Sequence, residues 1–485
     1  MGGRKVRISE EERGMKIDDA NLSFDKLRTI GTPFMVSLSN HARLVRCLGT
    51  CIVLLAVFLS AAPLYAQMRM LTLEEALAIA AEKNRDIEKA RAYIAWAQGK
   101  YVEERAAAFP QLTASASLGW DQDESQKIYS PMQTARTERR VAQIGLTQPL
   151  FTWGQVSAAI RAAKVGLQSA DEQLRLYRQA AGRDVSAAFY DVLLARELHA
   201  LAIHSLEQKQ RHREEARRKF QAGVATDYDL LAAEVSVENA RPEAIRMENQ
   251  IRTARERLRF LLAIESGEID VTGSLKTDLT PHRSYEEAFA MAREKRPDLA
   301  DIRYRIGVSR ELVVLAAAQD KPRIDLKGSY GWNYLEQPSV YGDGPSWAVG
   351  VQISYPFFNG FRTQGRVAQA ESDLRRIQID EAKRIDAVAL EAREAVNAVR
   401  ESEEIVRSLA GTVTQAERLL AMAEKGYELG VKTRLEVEDA ELNLRQAKSS
   451  LSRARRDYLV ARINLDWVSG ILGEAKIDHK PGINP

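Results

Sequence analysis

Residues 347–358 read Trp-Ala-Val-Gly-Val-Gln-Ile-Ser-Tyr-Pro-Phe-Phe, and this stretch decides the fold class. From Trp347 to Phe357 every second residue is large and apolar, while small or polar residues and one proline stand between them. Successive side chains of a β-strand point to opposite faces of a sheet, so the alternation predicts one apolar and one polar face. We predict this strand over about 346–358.

Three more segments show the same alternation, over about 110–122, 140–151 and 323–335. Each is close to the length of a tilted membrane strand, and aromatic residues cluster at the segment ends. A soluble antiparallel sheet packed on a helix shows the same alternation, so the pattern alone leaves both interpretations open. The alternating apolar residues are Leu112, Ala114, Ala116, Leu118 and Trp120; Ala142, Ile144 and Leu146; and Ile324, Leu326, Tyr330, Trp332 and Tyr334.

The chain carries the same plan twice. Motifs of the first half recur in the second half in the same order, 212 or 207 residues later. They are Leu73-Glu-Glu-Ala-Leu77 with Tyr285-Glu-Glu-Ala-Phe289, Pro149-Leu-Phe151 with Pro356-Phe-Phe358, and Phe220-Gln-Ala-Gly-Val224 with Tyr427-Glu-Leu-Gly-Val431. We therefore predict two structural repeats, over 67–280 and 281–475.

Most of the remaining chain has a helical pattern. Apolar and small residues step by four and three along the second half, which is a seven-residue repeat and implies a left-handed supercoil. This seam includes Val388, Ala392, Ala395, Val399, Ser402 and Val406. The predicted helices cover about 71–108, 154–223 and 224–264 in the first repeat, and 284–320, 360–429 and 432–470 in the second.

Helix lengths decide how these segments pack. A helix of about 70 residues is roughly 100 Å long, whereas its return of about 40 residues spans roughly 60 Å. The return helix is therefore shorter than the long helix, and the helix that precedes the strands, at about 71–108, makes up the difference. Each repeat is thus predicted to be a long helix beside two shorter helices stacked end to end, with a β-hairpin at one end and a tight helical turn at the other. The fold class is mainly α with a small membrane β part.

The two helical turns, at about 220–229 and 427–439, are the most specific local signals. A glycine there suits the left-handed residue that ends a helix, and Thr-x-x-Asp/Glu suits the capping box that opens the next one. The capping role and a channel role for the acidic residues both stay open. The turn residues are Gly223, Thr226 and Asp229 in the first repeat, and Gly430, Thr433 and Glu436 in the second.

Four strands cannot close into a barrel by themselves. An open sheet edge in hydrocarbon leaves backbone groups unpaired, at several kcal/mol each, so the strands need neighbours from other copies. Eight strands would enclose an interior filled by side chains, while twelve would leave a usable lumen. This argument favours a trimer.

The N-terminal part has the pattern of a targeting segment. An apolar run from Cys47 to Ala62 follows basic residues and precedes a cleavage site with small residues that ends at Ala66. This pattern predicts a secretory signal peptide over 35–66. A transmembrane anchor is the alternative, although the run is short for a bilayer. Residues 1–34 are interpreted as an upstream extension of doubtful role, and 476–485 as a C-terminal tail.

Composition excludes several classes of protein. Charged residues make up 28% and aromatic residues 7% of the 485, with a formal net charge of +3. This balance is unlike a collagen-like, disordered or multi-span helical membrane protein, and it does not suggest a nucleic-acid partner. The sequence has no phosphate-binding loop, nucleophile elbow or catalytic carboxylate pair, and its histidines lack metal-site context. We expect no enzymatic activity, no cofactor and no metal.

The duplicated hairpin-plus-long-helix plan, the Pro149 and Pro356 motifs at the strand exits, and Gly-Tyr-Glu-Leu-Gly-Val-Lys-Thr-Arg-Leu-Glu-Val-Glu-Asp-Ala at 426–440 resemble the TolC family of outer-membrane efflux channels. The resemblance covers about 71–472. It implies a homotrimer in outer-membrane lipid, with a twelve-stranded barrel continued by a helical tunnel into the periplasm. It also implies a gate at the helical tips that opens when a periplasmic adaptor and an inner-membrane transporter dock.

The resemblance also implies roles for tip residues. The family's gate latch falls on Asp229, Tyr427 and Lys432, and its acidic entrance ring falls on Glu436 and Asp439. Lys432 stands where an arginine is expected, so a forked two-bond contact is replaced by a point charge. Glu436 stands where an aspartate is expected. Both departures bear on the strength of the closed state.

Two other classes remain open at this stage. One is a soluble periplasmic coiled-coil adaptor or scaffold, whose strands would form a soluble sheet. The other is a general porin, which would lack the long helices. The cargo also stays open among drugs, metal ions and unfolded proteins, as does the identity of the pump and the adaptor.

Overall fold

The computed structural model describes residues 69–123, 135–276, 279–337 and 340–473. These residues belong to one compact unit, Ala66–Pro485. The predicted upstream extension at 1–34, the signal peptide at 35–66 and the tail at 476–485 lie outside the described residues.

The described residues form two repeats that share the order of two short helices, two strands, a long helix and a return helix, while two three-residue strands occur in the first repeat only. The first repeat consists of β1 (Arg69–Leu71), α1 (Leu73–Lys83), α2 (Arg85–Ala106), β2 (Gln111–Asp123), β3 (Ala135–Phe151), α3 (Gln155–Gln221), α4 (Asp227–Leu261) and β4 (Ile269–Val271). The second consists of α5 (Tyr285–Lys295), α6 (Pro297–Ala317), a short 3-10 turn, β5 (Arg323–Gln337), β6 (Val340–Ser354), α7 (Arg362–Glu428) and α8 (Arg434–Val468). The predicted fold class, mainly helical with a small sheet and two repeated halves, is confirmed.

Four of the strands form one antiparallel sheet in the order β2-β3-β5-β6. The register places Leu118 opposite Arg140, Ile144 opposite Tyr330, and Tyr330 opposite Trp347. Directly paired residues of antiparallel strands lie on the same face. The apolar positions of all four strands therefore share one face of the sheet, and the small and polar positions share the other.

The observed strand limits differ from the predicted ones mainly at β3 and β6. β3 begins at Ala135, five residues before the predicted start. β6 begins at Val340 and ends at Ser354, so it starts and stops earlier than the predicted 346–358. Beyond Ser354, Pro356 lacks a backbone donor for the sheet, and the Phe357 N–H turns back to the Tyr355 carbonyl.

The long helices α3 and α7 have 67 residues each, and the return helices α4 and α8 have 35 each. The seven-residue seam of α7 is buried, as its spacing predicts. Its buried residues include Val388, Ala392, Ala395, Val399, Ser402 and Val406. In the part of the chain that the structure describes, no helix combines the length and the apolarity needed to cross a membrane.

Each helix predicted before the strands is in fact two helices, divided at Asn84 in the first repeat and at Arg296 in the second. The Asn84 carboxamide accepts from the N–H groups of Asp86 and Ile87, which caps α2. Its Nδ2 also donates to the Leu261 carbonyl at 2.9 Å, at the end of α4. Arg296 instead has Pro297 at the first helical position.

Arg296 makes the equivalent long-range contact with different chemistry. Its Nη1 donates to the Val468 carbonyl at the end of α8, at 3.3 Å, and to Glu391 at 2.7 Å. Its Nε and Nη2 bind the two oxygens of Asp298 at 3.0 and 2.9 Å. Arg384 from α7 binds Asp298 and Glu391 as well. Arg296 is almost completely buried, so this network joins three helices in the interior.

A second small sheet was not predicted. β1 pairs with β4 in parallel, with Leu71 opposite Val271. Both side chains are fully buried in the core that also holds Val185, Phe189 and Leu258. Three-residue strands have too little alternation to be recognised in sequence, and their pairing depends on residues about 200 positions apart.

Candidate functional site

The two helical hairpins end in turns of the same geometry. Gly223 and Gly430 have φ angles of +73° and +74°, a conformation that costs glycine little. The N–H of Val224 bonds to the Lys219 carbonyl and the N–H of Val431 to the Gly426 carbonyl, each at 2.9 Å. These bonds satisfy carbonyls at the helix end, as in the left-handed C-terminal cap.

The next residues open α4 and α8 with two complete capping boxes. Thr226 Oγ1 accepts from the Asp229 N–H at 3.3 Å, and Asp229 Oδ2 accepts from the Thr226 N–H at 2.9 Å. Thr433 and Glu436 make the same two bonds, at 3.3 and 2.8 Å. The structural role weighed for the two acidic residues is therefore present in the structure.

Different partners stabilise the negative charges of Asp229 and Glu436. The hydrogen bonds from the Thr226 backbone and side chain lower the pKa of Asp229. The Lys432 ammonium lies 2.5 Å from Glu436 Oε1, and this contact, helped by the Thr433 N–H, lowers the pKa of Glu436 to about 2. Lys432 thus binds a carboxylate of its own hairpin.

Tyr427 contacts the other hairpin. Lys219 Nζ, at the end of α3, donates to Tyr427 Oη at 3.0 Å. Glu215, one turn earlier on α3, binds Lys219 at 2.8 Å and Arg434 Nη1 at 3.5 Å. The Arg434 guanidinium lies 5.7 Å from the centre of the Tyr427 ring. We call these four residues, Glu215, Lys219, Tyr427 and Arg434, the tip clasp.

The tip clasp joins the ends of the two hairpins within one chain. The hydrogen bond to Glu215, and then the one to Tyr427, raise the pKa of Lys219, which keeps it charged. Sequence reasoning missed Glu215, Lys219 and Arg434. Glu215 and Lys219 show the i, i+4 spacing of a helical ion pair, but a sequence does not reveal which neighbouring helix such a pair faces.

Asp439 lines a cavity of about 280 Å³ between α3, α4, α7 and α8. On the same wall, Glu441 of α8 lies 3.0 Å from Nε2 of His212 on α3. Burial is the main cause that raises the pKa of Glu441. Among the described residues, no group of three or more His, Cys, Asp or Glu side chains is placed to hold a metal ion.

A family model described as "Outer membrane efflux protein" matches residues 76–263 and 289–470, one match in each repeat. The chain belongs to this family. The family consists of channels rather than known enzymes. This efflux channel therefore resides in the outer membrane and extends into the periplasm, with the sheet and the long helices as its two parts.

Comparisons with individual proteins agree with this family assignment. Over 385 residues this efflux channel is 27% identical to the alkaline protease secretion protein AprF of Pseudomonas aeruginosa, covering 77% of this chain and 79% of AprF. It is 23% identical to the outer membrane protein TolC of Vibrio cholerae, covering 77% and 87%. The Campylobacter jejuni CmeC outer membrane channel has the same fold, with a TM-score of 0.72 at 16% identity over 82% of this chain and 85% of CmeC. None of these relatives supports the soluble adaptor.

Proposed function

We propose that three copies of this chain form the channel, with a twelve-stranded barrel in the outer membrane and a tunnel of helices below it. The observation that carries the proposal is the four-stranded sheet, which has one continuous apolar face and ends in β2 and β6. A sheet in lipid must close on itself because unpaired backbone groups there cost several kcal/mol each. Twelve strands leave a lumen, whereas eight are filled by side chains.

We infer that the channel is the passive exit duct of a tripartite efflux or type I secretion system. An inner-membrane transporter would supply the energy, and a periplasmic adaptor would hold the transporter to the hairpin tips. The similarity to a protein named for alkaline protease secretion and to TolC supports this arrangement. In the stretch 211–219, just before the first turn, five Lys and Arg residues outnumber two Glu residues, and this basic excess would suit the docking of an acidic adaptor surface.

We further propose that the hairpin tips form the gate. The tip clasp would hold the two hairpins of each copy together, with Tyr427 at its centre. Asp229 and Lys432 are the other residues of the proposed latch. They would act between copies after Asp229 releases Thr226 and Lys432 releases Glu436, so that each can bind a residue of a neighbouring copy. Docking of the adaptor would separate the hairpins, and the tunnel would open.

The assembly is tested by the mass of the purified protein in mild detergent. We expect the mass of three copies, resistance to extraction from membranes by carbonate, and discrete conductance steps in planar bilayers. A single-copy mass, or release by carbonate, would contradict the proposed assembly. Helix-dominated circular dichroism is the control that the detergent has not unfolded the protein.

The acidic entrance ring is tested by ion selectivity. Glu436 and Asp439 would place six carboxylates around the axis of a trimer, which favours cations. Because Lys432 neutralises Glu436, we expect Asp439→Asn to reduce cation preference more than Glu436→Gln does. A charge about 4 Å from an ion in water contributes about 1 kcal/mol, or roughly fivefold in preference.

The reversal potential in a salt gradient measures this preference. Removing the neutralising charge with Lys432→Met should increase the preference for cations, which makes it the matched control. If both carboxamide variants leave the reversal potential unchanged, the ring assignment is wrong.

A further inference from the structure

The sheet face opposite the apolar face lines the lumen of the proposed barrel. Directly paired residues of the four strands form rows across this face. Counted from the end next to the helices, successive rows are Gln111, Thr147, Lys327 and Gly350; Thr113, Gly145, Ser329 and Ala348; Ser115, Gln143, Gly331 and Ser346; Ser117, Val141, Asn333 and Gly344; and Gly119, Arg139, Leu335 and Gly342. The wall between the first and the last of these rows is therefore built from uncharged side chains, most of them small.

The charged residues of these rows are all basic. Lys327 of β5 stands in the first row and Arg139 of β3 in the last. Both side chains are exposed, and within the residues that the structure describes neither forms an ion pair. A cleft whose unpaired charges have one sign concentrates ions of the opposite sign.

The carboxylate next to Lys327 on its own strand is already neutralised. Asp325, one row closer to the helices, is buried and accepts from Arg323 Nε at both oxygens, at 2.9 Å each. The direct partners of Lys327 are Thr147 and Gly350. The edge strands β2 and β6 contribute uncharged residues to every one of these rows, so a neighbouring copy brings no carboxylate to them.

Arg139 is less isolated than Lys327. Asp121 of β2 lies on the same face, opposite Thr137 and one row further out. Its carboxylate reduces the net positive charge around Arg139. Lys327 therefore produces the stronger positive field in the lumen.

We infer that Lys327 and Arg139 make the barrel lumen a binding region for multivalent anions. In three copies, each of the two residues becomes a ring of positive charges around the axis. This inference rests on the proposed assembly. It concerns the barrel, whereas the proposed acidic ring lies at the hairpin tips.

The size of the barrel lets the charges of one ring act together. Twelve strands about 4.8 Å apart and tilted by about 40° enclose a barrel with a Cα radius of about 12 Å. The extended four-carbon stem of a lysine brings its ammonium to about 6 Å from the axis. This distance is shorter than the Debye length of about 8 Å at physiological salt, so an anion on the axis is attracted by all three Lys327 side chains.

The two rings are well separated along the axis. Arg139 pairs with Leu335, which stands eight residues after Lys327 on β5. Eight residues of a strand tilted by about 40° rise about 20 Å along the barrel. An anion that enters from the outer mouth meets Arg139 first, then a neutral wall, and then Lys327. The strongest binding is expected at the Lys327 ring.

Block of the channel current by inorganic triphosphate tests the inference. In planar bilayers the charged helical tunnel stays on the side to which the protein is added, because charged side chains cross hydrocarbon at high cost. The outer mouth then opens to the opposite chamber. Triphosphate added to that chamber, at a voltage that drives anions into the barrel, should reduce the single-channel current. Lys327→Gln should raise the half-blocking concentration at least about tenfold, and Arg139→Gln should raise it by a smaller factor.

Two variants serve as controls. Arg140→Gln should leave the block unchanged, because Arg140 is next to Arg139 in the chain but lies on the other face of the sheet, opposite Leu118. Lys327→Arg keeps the charge and should retain the block. A higher KCl concentration should weaken the block of the unsubstituted channel, because salt screens the attraction.

The outcomes separate the inference from the assembly on which it rests. If protein with the mass of three copies gives discrete conductance steps but triphosphate blocks Lys327→Gln as strongly as the unsubstituted channel, the anion-binding region is overturned and the assembly stands. Absence of any block in such protein has the same meaning. A single-copy mass overturns the proposed assembly and the two rings with it.

Discussion

Lys219→Met combined with Tyr427→Phe is expected to raise single-channel conductance in planar bilayers. The variant removes the 3.0 Å bond between the two hairpins and the charge that Glu215 holds in place. A hydrogen bond to a charged group contributes about 1.5–3 kcal/mol, and partial exposure reduces this to about 1 kcal/mol. If three copies open together, the closed-to-open equilibrium moves by about a hundredfold.

The matched control is Lys425→Met. Lys425 binds Glu428 of its own hairpin at 2.8 Å, so its loss breaks no link between hairpins and should leave conductance unchanged. Asp229→Asn removes the charge proposed for the latch and leaves the clasp intact, because the asparagine side-chain oxygen can still accept from the Thr226 N–H and complete the capping box of α4. Increased conductance in Asp229→Asn supports a role for this carboxylate in the gate. Unchanged conductance in Lys219→Met with Tyr427→Phe, in an assembly of normal mass, contradicts the clasp.

Arg296→Ala is expected to destabilise the channel by about 3 kcal/mol, the lower end of the range for breaking a buried ion pair. The substitution leaves Asp298 and Glu391 with Arg384 as their remaining partner, and it removes the donor to the Val468 carbonyl. Thermal unfolding followed by circular dichroism in detergent measures the effect. Arg303→Ala on the same helix α6 is the control, because its pair with Glu381 is longer, at 3.5 Å, and more exposed.

The same network predicts a dependence on pH. Burial by itself would raise the pKa of Asp298, but the hydrogen bond and charge of Arg296, followed by those of Arg384, hold it below its usual range. A carboxyl whose pKa is lowered by folding stabilises the protein above its unfolded pKa, about 3.9, and loses that contribution as pH falls further. Stability should therefore decline below about pH 4 in the unsubstituted protein, and less steeply in Arg296→Ala. Equal stability of Arg296→Ala and Arg303→Ala would show that the network contributes little.

Much of the fold could be predicted because its signals are local or repeated. The alternation in 347–357 and the heptad seam of α7 depend on side-chain period, which is set by backbone geometry. The duplication predicts that the helices and long strands of the first half recur in the same order in the second half. The breaks at Asn84 and Arg296 were missed because neither residue interrupts the apolar pattern, although Asn84 is a local helix cap and Pro297 a local helix-start signal. Their contacts with carbonyls 177 and 172 positions away leave no local pattern in the sequence.

The tip shows where prediction from sequence ends. The turn glycines and the Thr-x-x-Asp/Glu capping boxes were recognised because a cap needs residues within one helical turn. The partner of Tyr427 was not, since Lys219 is 208 positions earlier. One residue of helical rotation is about 100°, so the face that each 67-residue helix presents at its tip depends on packing along its whole length.

The sequence by itself determined the strands, the long helices, their duplication and the family, because each rests on short-range periodicity or on repeated motifs. Tertiary structure decided which helix faces meet, as in the tip clasp and the Arg296 network. The physical reason is that distant contacts depend on the summed twist and length of rigid elements. No local stretch of residues encodes that sum.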